Sequence, residues 1–107
     1  MYYAYIRVST DTQTVENQQI VISEWARMKG VTIDRWISDV KSGTLMPKKR
    51  KLGKLLQDVQ SGDIIVCTEL SRLGRSMTMI FNILEELQKR EIGVIAVKEG
   101  YELTNTL

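Results

Sequence analysis

The sequence predicts an α/β domain with three layers, in which helices cover a mainly parallel sheet of four to five strands. Short runs of β-branched and aromatic residues alternate along the chain with longer segments whose apolar residues recur every three or four positions. Strict alternation of strand and helix is typical of parallel sheets joined by crossover helices. The 107 residues suffice for one domain with its own core.

The first half of the chain contains two predicted strands and one predicted helix. Residues 2–8 are rich in aromatic and β-branched types, which favour a strand. A stripe of apolar residues predicts a helix from about 15 to 29. Residues 32–38 alternate in polarity and predict the second strand, and the polar segment 39–51 is expected to form a long loop.

The second half continues the alternation. A helix is expected at 51–60, and the apolar run 63–68 predicts a central strand because it has no polar face. A third helix is predicted around the apolar stripe 79–87, and a fourth strand at 92–97. Residues 98–107 show no clear period.

Composition narrows the class of protein. The formal net charge is only +2, so a nucleic-acid signal has to be local. Cys67 is the one cysteine and histidine is absent, so we expect neither a disulfide nor a metal site, and a buried structural role for Cys67. No signal peptide or membrane span is visible, and the cytoplasm is the expected compartment.

Polar side chains gather where the predicted strands end, which is where α/β sheets bind ligands. Arg7 and Ser9 lie at the end of the first strand, and Arg72 and Arg75 follow the third. Arginine matches phosphate oxygens and stabilises charge in phosphoryl transfer, and a serine hydroxyl is a possible nucleophile. The ordinary alternatives are a helix-capping serine and arginines that are solvated or paired with a carboxylate such as Glu69.

The densest basic run is also a candidate for contact with DNA. Positive charges at the start of a helix oppose its dipole, so the run does not serve helix stability. We interpret it as a site for the DNA backbone, with a solvated loop as the alternative. The run consists of Lys48, Lys49, Arg50 and Lys51.

Two motifs in order resemble a known family. The segment 5–10 (YIRVST), followed by Gln13 and Gln18, resembles the opening of the resolvase/invertase family of serine site-specific recombinases, and 69–76 (ELSRLGRS) resembles its second signature. Further matches at the expected spacing are Asp39, Ser42-Gly43 and Gly62-Asp63. The resemblance extends over nearly the whole chain and implies a resolvase-like fold.

The resemblance implies a metal-independent and ATP-independent DNA strand transferase without cofactors. Ser9 would attack a DNA phosphodiester and form a 5′-phosphoserine link, while Arg7, Arg72 and Arg75 would hold the phosphate. The implied partners are double-stranded DNA and further copies of the protein in a dimer or tetramer, without a membrane, in a bacterial cytoplasm at the nucleoid. The supporting residues would be Tyr5, Gln13, Gln18, Ser42 and Ser71.

Three features depart from the family pattern. Ser71 stands where the family has an aspartate, and Lys49 or Arg50 stands where it has an arginine. Relatives continue into a dimerisation helix and a DNA-binding domain. We therefore expect residues 1–107 to be a catalytic domain truncated before both.

Two alternatives remain open from the sequence. One is a recombinase-like domain with impaired catalysis and a role in regulation or assembly, for which Ser71 argues. The other is a flavodoxin-like module that binds a phosphate without chemistry, although no glycine-rich phosphate loop is present. The leading hypothesis predicts that Ser9, Arg7, Arg72 and Arg75 converge on one surface pocket.

Overall fold

A computed structural model describes residues 1–8, 12–40 and 51–103, with the backbone alone at residues 12 and 13. Over these ranges the strands are β1 (Tyr2–Val8), β2 (Arg35–Val40), β3 (Ile64–Cys67), β4 (Gly93–Ala96) and β5 (Tyr101–Leu103). The helices are α1 (Thr12–Lys29), α2 (Lys51–Asp58), a short 3-10 helix (Leu70–Arg72) and α3 (Met77–Lys89). Within the described ranges, none of the helices is long and apolar enough to cross a bilayer.

The strands form one sheet in the order β2-β1-β3-β4-β5. The strands β1 to β4 are mutually parallel, and β5 runs antiparallel to β4. The chain first steps from β1 to β2 on one side and then returns past β1 to β3 and β4. Because crossovers between parallel strands are right-handed, this reversal sends α1 to one face of the sheet and α2 and α3 to the other.

Two apolar cores, one on each face of the sheet, hold the three layers together. Tyr3 and Tyr5 of β1 pack with α2 and α3, whereas Ala4 and Ile6 pack with α1. Successive side chains of a strand point to opposite faces, so β1 contributes to both cores. The strand is buried from Tyr3 to Val8, which fixes the position of its last residues.

The predicted fold class is confirmed, but the second strand was placed wrongly. It covers Arg35–Val40 and not 32–38. Asp34 is the last residue of the connection from α1 to β2. Its amide donates to the Tyr2 carbonyl, and its carboxylate accepts from the Tyr2 amide, both at 2.8 Å. The loop predicted at 39–51 was therefore placed too early in the sequence. Asp39 and Val40 belong to β2 and lie opposite Arg7 and Val8.

Three other features differ from the sequence-based expectation. The helix α1 begins at Thr12, earlier than the expected residue 15. The 3-10 helix Leu70–Arg72 and the strand β5 were not predicted, because each has only three residues and so shows no period. A turn at Gly100, whose φ of 63° suits glycine, directs β5 back along β4.

Candidate active site

The candidate site lies at the carboxyl edge of the sheet, between β1 and β3. This is where the strand order reverses, since the chain leaves β1 toward α1 and leaves β3 toward α3 on the opposite face. In open α/β sheets the crevice at such a reversal is the usual place for a ligand. Arg7 near the end of β1 meets the 3-10 helix that follows β3 at this position.

Arg7 is buried and holds the 3-10 helix. Its side chain lies on the same face of the sheet as Tyr5, and the residue is only 8% exposed. Its Nε donates to the Arg72 carbonyl at 2.9 Å, and one terminal nitrogen donates to the Ser71 carbonyl at 2.6 Å. Hydrogen bonds from a charged donor are stronger than neutral ones, so the Arg7 guanidinium fixes the main chain of the second signature against β1.

Arg72 makes the complementary contact. One terminal nitrogen of its guanidinium donates to the Arg7 carbonyl at 3.2 Å, and Gln18 Nε2 donates to the same oxygen at 3.2 Å. Arg72 Nε is buried and finds no hydrogen-bond partner among the described residues. The Arg7 carbonyl thus links α1, β1 and the 3-10 helix, and Arg72 keeps one donor that no described residue satisfies.

A network of charged side chains adjoins Arg72. A carboxylate oxygen of Glu69 lies 3.8 Å from the other terminal nitrogen of Arg72, and its second oxygen lies 3.6 Å from Lys98 Nζ. Glu99 accepts from the Leu70 amide at 2.8 Å and so binds the first amide of the 3-10 helix. Sequence reasoning missed Lys98 and Glu99, although they follow β4 at the same edge and the strand-end rule applies to them as well.

Arg75 lies on an exposed turn whose backbone is held on both sides. Ser76 caps α3, because its hydroxyl oxygen accepts from the Met79 amide at 3.0 Å. Before the turn, Gly74 packs so closely on Met79 that an added Cβ would lie 2.7 Å from the sulfur. The main chain of Arg75 is therefore fixed, while its side chain is open to solvent.

Asp39 connects β2 with β1 and with the start of α2, although the sequence predicted a loop at this residue. It is 3% exposed at the end of β2, and one of its carboxylate oxygens accepts from Tyr5 Oη at 2.7 Å. The carboxylate also accepts from the amides of Lys51 at 3.0 Å and Leu52 at 3.2 Å. A negative charge at these amides suits the positive end of α2, so Asp39 acts as its cap from another element.

The structure brings some of the predicted site residues together and leaves others open. The side chains of Arg72 and Gln18 converge on the Arg7 carbonyl. Tyr5 is buried near the same edge and donates a hydrogen bond to Asp39. Gln13 lies in the first turn of α1, where only the backbone is described. The predicted convergence of Ser9 with the arginines stays a prediction. Outside the described residues lie Ser9, Ser42, Lys48, Lys49 and Arg50.

The pKa of Cys67 depends on its burial and on the charged side chains of the neighbouring site. It is a free, buried thiol at the end of β3, as expected from the sequence. Burial, assisted by the negative charges of Glu99 and Glu69 and opposed by Arg72, raises the pKa of Cys67 to about 12. The thiol is therefore neutral at physiological pH, which suits a packing role and not a nucleophile.

The carboxylates of this edge are engaged with protein groups. Asp39 binds two amides and a phenol, Glu99 binds an amide, and Glu69 faces two cations. In the part of the chain that the structure describes, acidic, histidine and cysteine side chains form no cluster of three or more that could hold a metal ion. The edge offers cationic donors, which suit an anionic ligand.

Fold and site together define an α/β domain with paired arginines at the crevice where the strand order of its sheet reverses. The chain belongs to the family described as Resolvase, N terminal domain, whose model matches residues 2–107. The expected resolvase/invertase membership is thereby confirmed, and the two alternatives are not favoured.

Two curated relatives illustrate the similarity. The chain is 36% identical over 99 residues to the transposon Tn2501 resolvase of Escherichia coli, covering 92% of this chain and 50% of the relative. It is 31% identical over 100 residues to the transposon Tn552 resolvase of Staphylococcus aureus, covering 94% and 47%. The chain thus spans about half the length of the curated relatives it matches.

Solved structures agree on the fold. The N-terminal catalytic domain of TP901-1 integrase superposes with a TM-score of 0.78 at 19% identity, covering 95% of this chain and 81% of that one. A resolvase family site-specific recombinase from Streptococcus pneumoniae superposes with a TM-score of 0.76 at 24% identity, covering 94% and 74%.

Proposed function

We propose that this domain cleaves and rejoins double-stranded DNA at specific sites, with Ser9 as the nucleophile. The observation that carries the proposal is the reciprocal contact between Arg7 and Arg72 at the crevice between β1 and β3. Ser9 follows Arg7 by two positions in the sequence, directly after the last residue of β1. The strand β1 therefore ends, one residue before Ser9 in the sequence, at the edge where the arginines meet.

The proposed reaction exchanges one phosphodiester for another. Ser9 Oγ attacks the phosphorus, the bond from phosphorus to the 3′ oxygen breaks, and a 5′-phosphoserine forms. The serine hydroxyl loses its proton and the leaving 3′ oxygen gains one, so the step is balanced. The new ester keeps the energy of the broken bond, and the reverse attack by a 3′-hydroxyl rejoins the strand without ATP.

Arginines supply the electrostatic part of this reaction. Phosphoryl transfer depends mainly on positioning and on stabilising the charge that builds on the equatorial oxygens. Arg72 has an Nε that no described residue satisfies, and Arg75 presents an exposed guanidinium on a fixed turn. We assign these two groups to the phosphate oxygens, with Arg7 bracing the main chain behind them. A metal ion is not required by this assignment.

The remaining assignments concern partners. The basic run from Lys48 to Lys51 would contact the DNA backbone, where each cation that neutralises a phosphate releases counterions. Rejoining ends from two DNA sites needs more than one active serine, so the complete gene product would act as a dimer or tetramer. The names of the curated relatives favour a mobile element of bacteria. A domain that cleaves DNA would then act in the cytoplasm, at the nucleoid.

A covalent-trapping experiment tests the proposal. The complete gene product is incubated with supercoiled plasmids carrying the DNA on both sides of its gene, in a chelator and without added metal, and is then denatured. We expect a protein–DNA adduct that disappears in Ser9→Ala and persists in Ser23→Ala, which removes an exposed hydroxyl from α1. DNA binding with no adduct would contradict the proposal and favour a regulatory domain.

A further inference from the structure

We propose that Glu69 is a positioning residue for Arg72 and supplies the carboxylate that the neighbouring Ser71 cannot provide. This inference rests on the proposed function of the same site. Among the described residues, Glu69 is the one acidic side chain in an ion pair with Arg72, with 3.8 Å between oxygen and nitrogen. Ser71 contributes its carbonyl to Arg7, and its hydroxyl has no charge to offer a guanidinium.

The backbone around Glu69 leaves its carboxylate available for this role. Glu69 precedes the 3-10 helix in an extended conformation, with φ −143° and ψ 149°, and its side chain makes no capping hydrogen bond. Glu99, arriving from the end of β4, accepts from the Leu70 amide at 2.8 Å instead. Glu99 binds the first amide of the 3-10 helix, so the Glu69 carboxylate is not needed there. It faces Arg72 and Lys98 instead.

Two contacts, one with a neutral carbonyl and one with a carboxylate, then set the orientation of the Arg72 guanidinium. One terminal nitrogen donates to the Arg7 carbonyl at 3.2 Å, and the other faces Glu69. Lys98 holds the second oxygen of Glu69 at 3.6 Å, so the carboxylate is fixed between two cations from different loops. Glu69 therefore acts on a phosphate only through the direction in which Arg72 presents its donors.

This role differs from a stabilising surface pair. Glu69 and Arg72 are partly exposed, and exposed ion pairs contribute little to folding stability. A misplacement of a positioning group by about 1 Å, in contrast, can reduce a rate on the order of a hundredfold. Loss of the carboxylate should therefore lower the rate of adduct formation without lowering the melting temperature.

The experiment compares Glu69→Gln with a variant that moves the carboxylate two residues along. The complete gene product is assayed for Ser9-dependent adduct on the plasmids described above. We expect Glu69→Gln to slow adduct formation by about tenfold to a hundredfold. We expect Glu69→Asp, and the double variant Glu69→Gln with Ser71→Asp, to recover most of the rate, since both return a carboxylate beside Arg72.

A matched control removes an equivalent carboxylate elsewhere. Glu85→Gln breaks an ion pair of similar length, 3.6 Å to Lys89, on the exposed face of α3. It should leave the rate unchanged, and thermal unfolding of every variant should match the unsubstituted protein.

Each outcome separates the two hypotheses. An unchanged rate in Glu69→Gln overturns the inference, as does a loss that neither carboxylate variant restores. If the unsubstituted protein itself gives no Ser9-dependent adduct on these plasmids, the proposed function fails first and the inference fails with it.

Discussion

Arg7 and Arg72 each donate a hydrogen bond from the guanidinium to the main-chain carbonyl of the other. The two contacts tie the end of β1 to the 3-10 helix beyond β3. Carbonyl oxygens are suitable partners for a buried cation, because they satisfy its donors without cancelling its charge.

Arg7→Lys should destabilise the domain. A lysine keeps the charge but has no planar fork, so at least one of the hydrogen bonds to the Ser71 and Arg72 carbonyls is lost. Loss of a hydrogen bond to a charged group costs about 1.5–3 kcal/mol. Urea denaturation followed by circular dichroism measures the change in the free energy of unfolding.

Arg75→Lys is the matched control for that substitution. Arg75 is exposed, so the free energy of unfolding should change by less than about 0.5 kcal/mol. Adduct formation should nevertheless decrease, since lysine cannot grip a phosphate in a bidentate way. Equal stability of Arg7→Lys and the unsubstituted domain would refute the bracing role of Arg7.

Asp39→Asn should loosen the junction of β2, β1 and α2. The amide group cannot accept all three hydrogen bonds from Tyr5 Oη and the amides of Lys51 and Leu52. We expect a loss of about 1–3 kcal/mol, combining a lost cap with an unsatisfied buried group. Asp58→Asn, which removes a carboxylate paired with the exposed Lys54 at 3.7 Å, should be nearly neutral in the same unfolding assay.

Arg90→Met should weaken the end of α2. The two terminal nitrogens of Arg90 donate to the carbonyls of Leu56 at 2.6 Å and Val59 at 2.7 Å, and methionine keeps only the aliphatic stem. We expect a loss of about 1.5–3 kcal/mol in chemical denaturation. If Arg90→Met matched Arg27→Met, which breaks an exposed pair with Glu24, the capping role would be wrong.

Cys67 should make stability fall in alkaline solution. Its ordinary pKa is 9.0, and burial raises the pKa in the folded domain to about 12. The unfolded thiol ionises first, so the stabilisation is complete below pH 9 and is lost as the pH rises toward 12. The slope is at most about 1.4 kcal/mol per pH unit.

The pH prediction is tested on Cys67→Ala, which lacks the titrating thiol. Its free energy of unfolding should fall less steeply between pH 9 and 12 than that of the unsubstituted domain. Parallel curves for the two proteins would show that the thiol is not shifted in the folded state.

Much of the fold was predictable because its longer elements have strong periods. The strand β1 was placed correctly, since aromatic and β-branched residues dominate residues 2–8. The second strand was misplaced because alternation continues through Thr32 and Ile33, whereas the structure uses Asp34 to bind Tyr2 and starts β2 afterwards. Local polarity carries no information on that tertiary contact.

The candidate site was predictable where it follows from topology. Parallel strands end at one edge, which is why Arg7 and Arg72 were expected to meet. Asp39 was assigned to a loop because a buried carboxylate looks polar in sequence, and its partners are main-chain amides that any residue supplies. Lys98 and Glu99 follow β4 at the same edge, so the position of strand ends predicts them as well.

The central position of β1 also governs how the domain folds. Its contacts with β3 and the 3-10 helix join residues about sixty positions apart, as in the Arg7–Arg72 pair with a separation of 65. Closing so long a loop is entropically costly and slows folding. The arginine contacts therefore depend on the pairing of β1 with β3, and an unfolding event that separates these strands would also open the crevice.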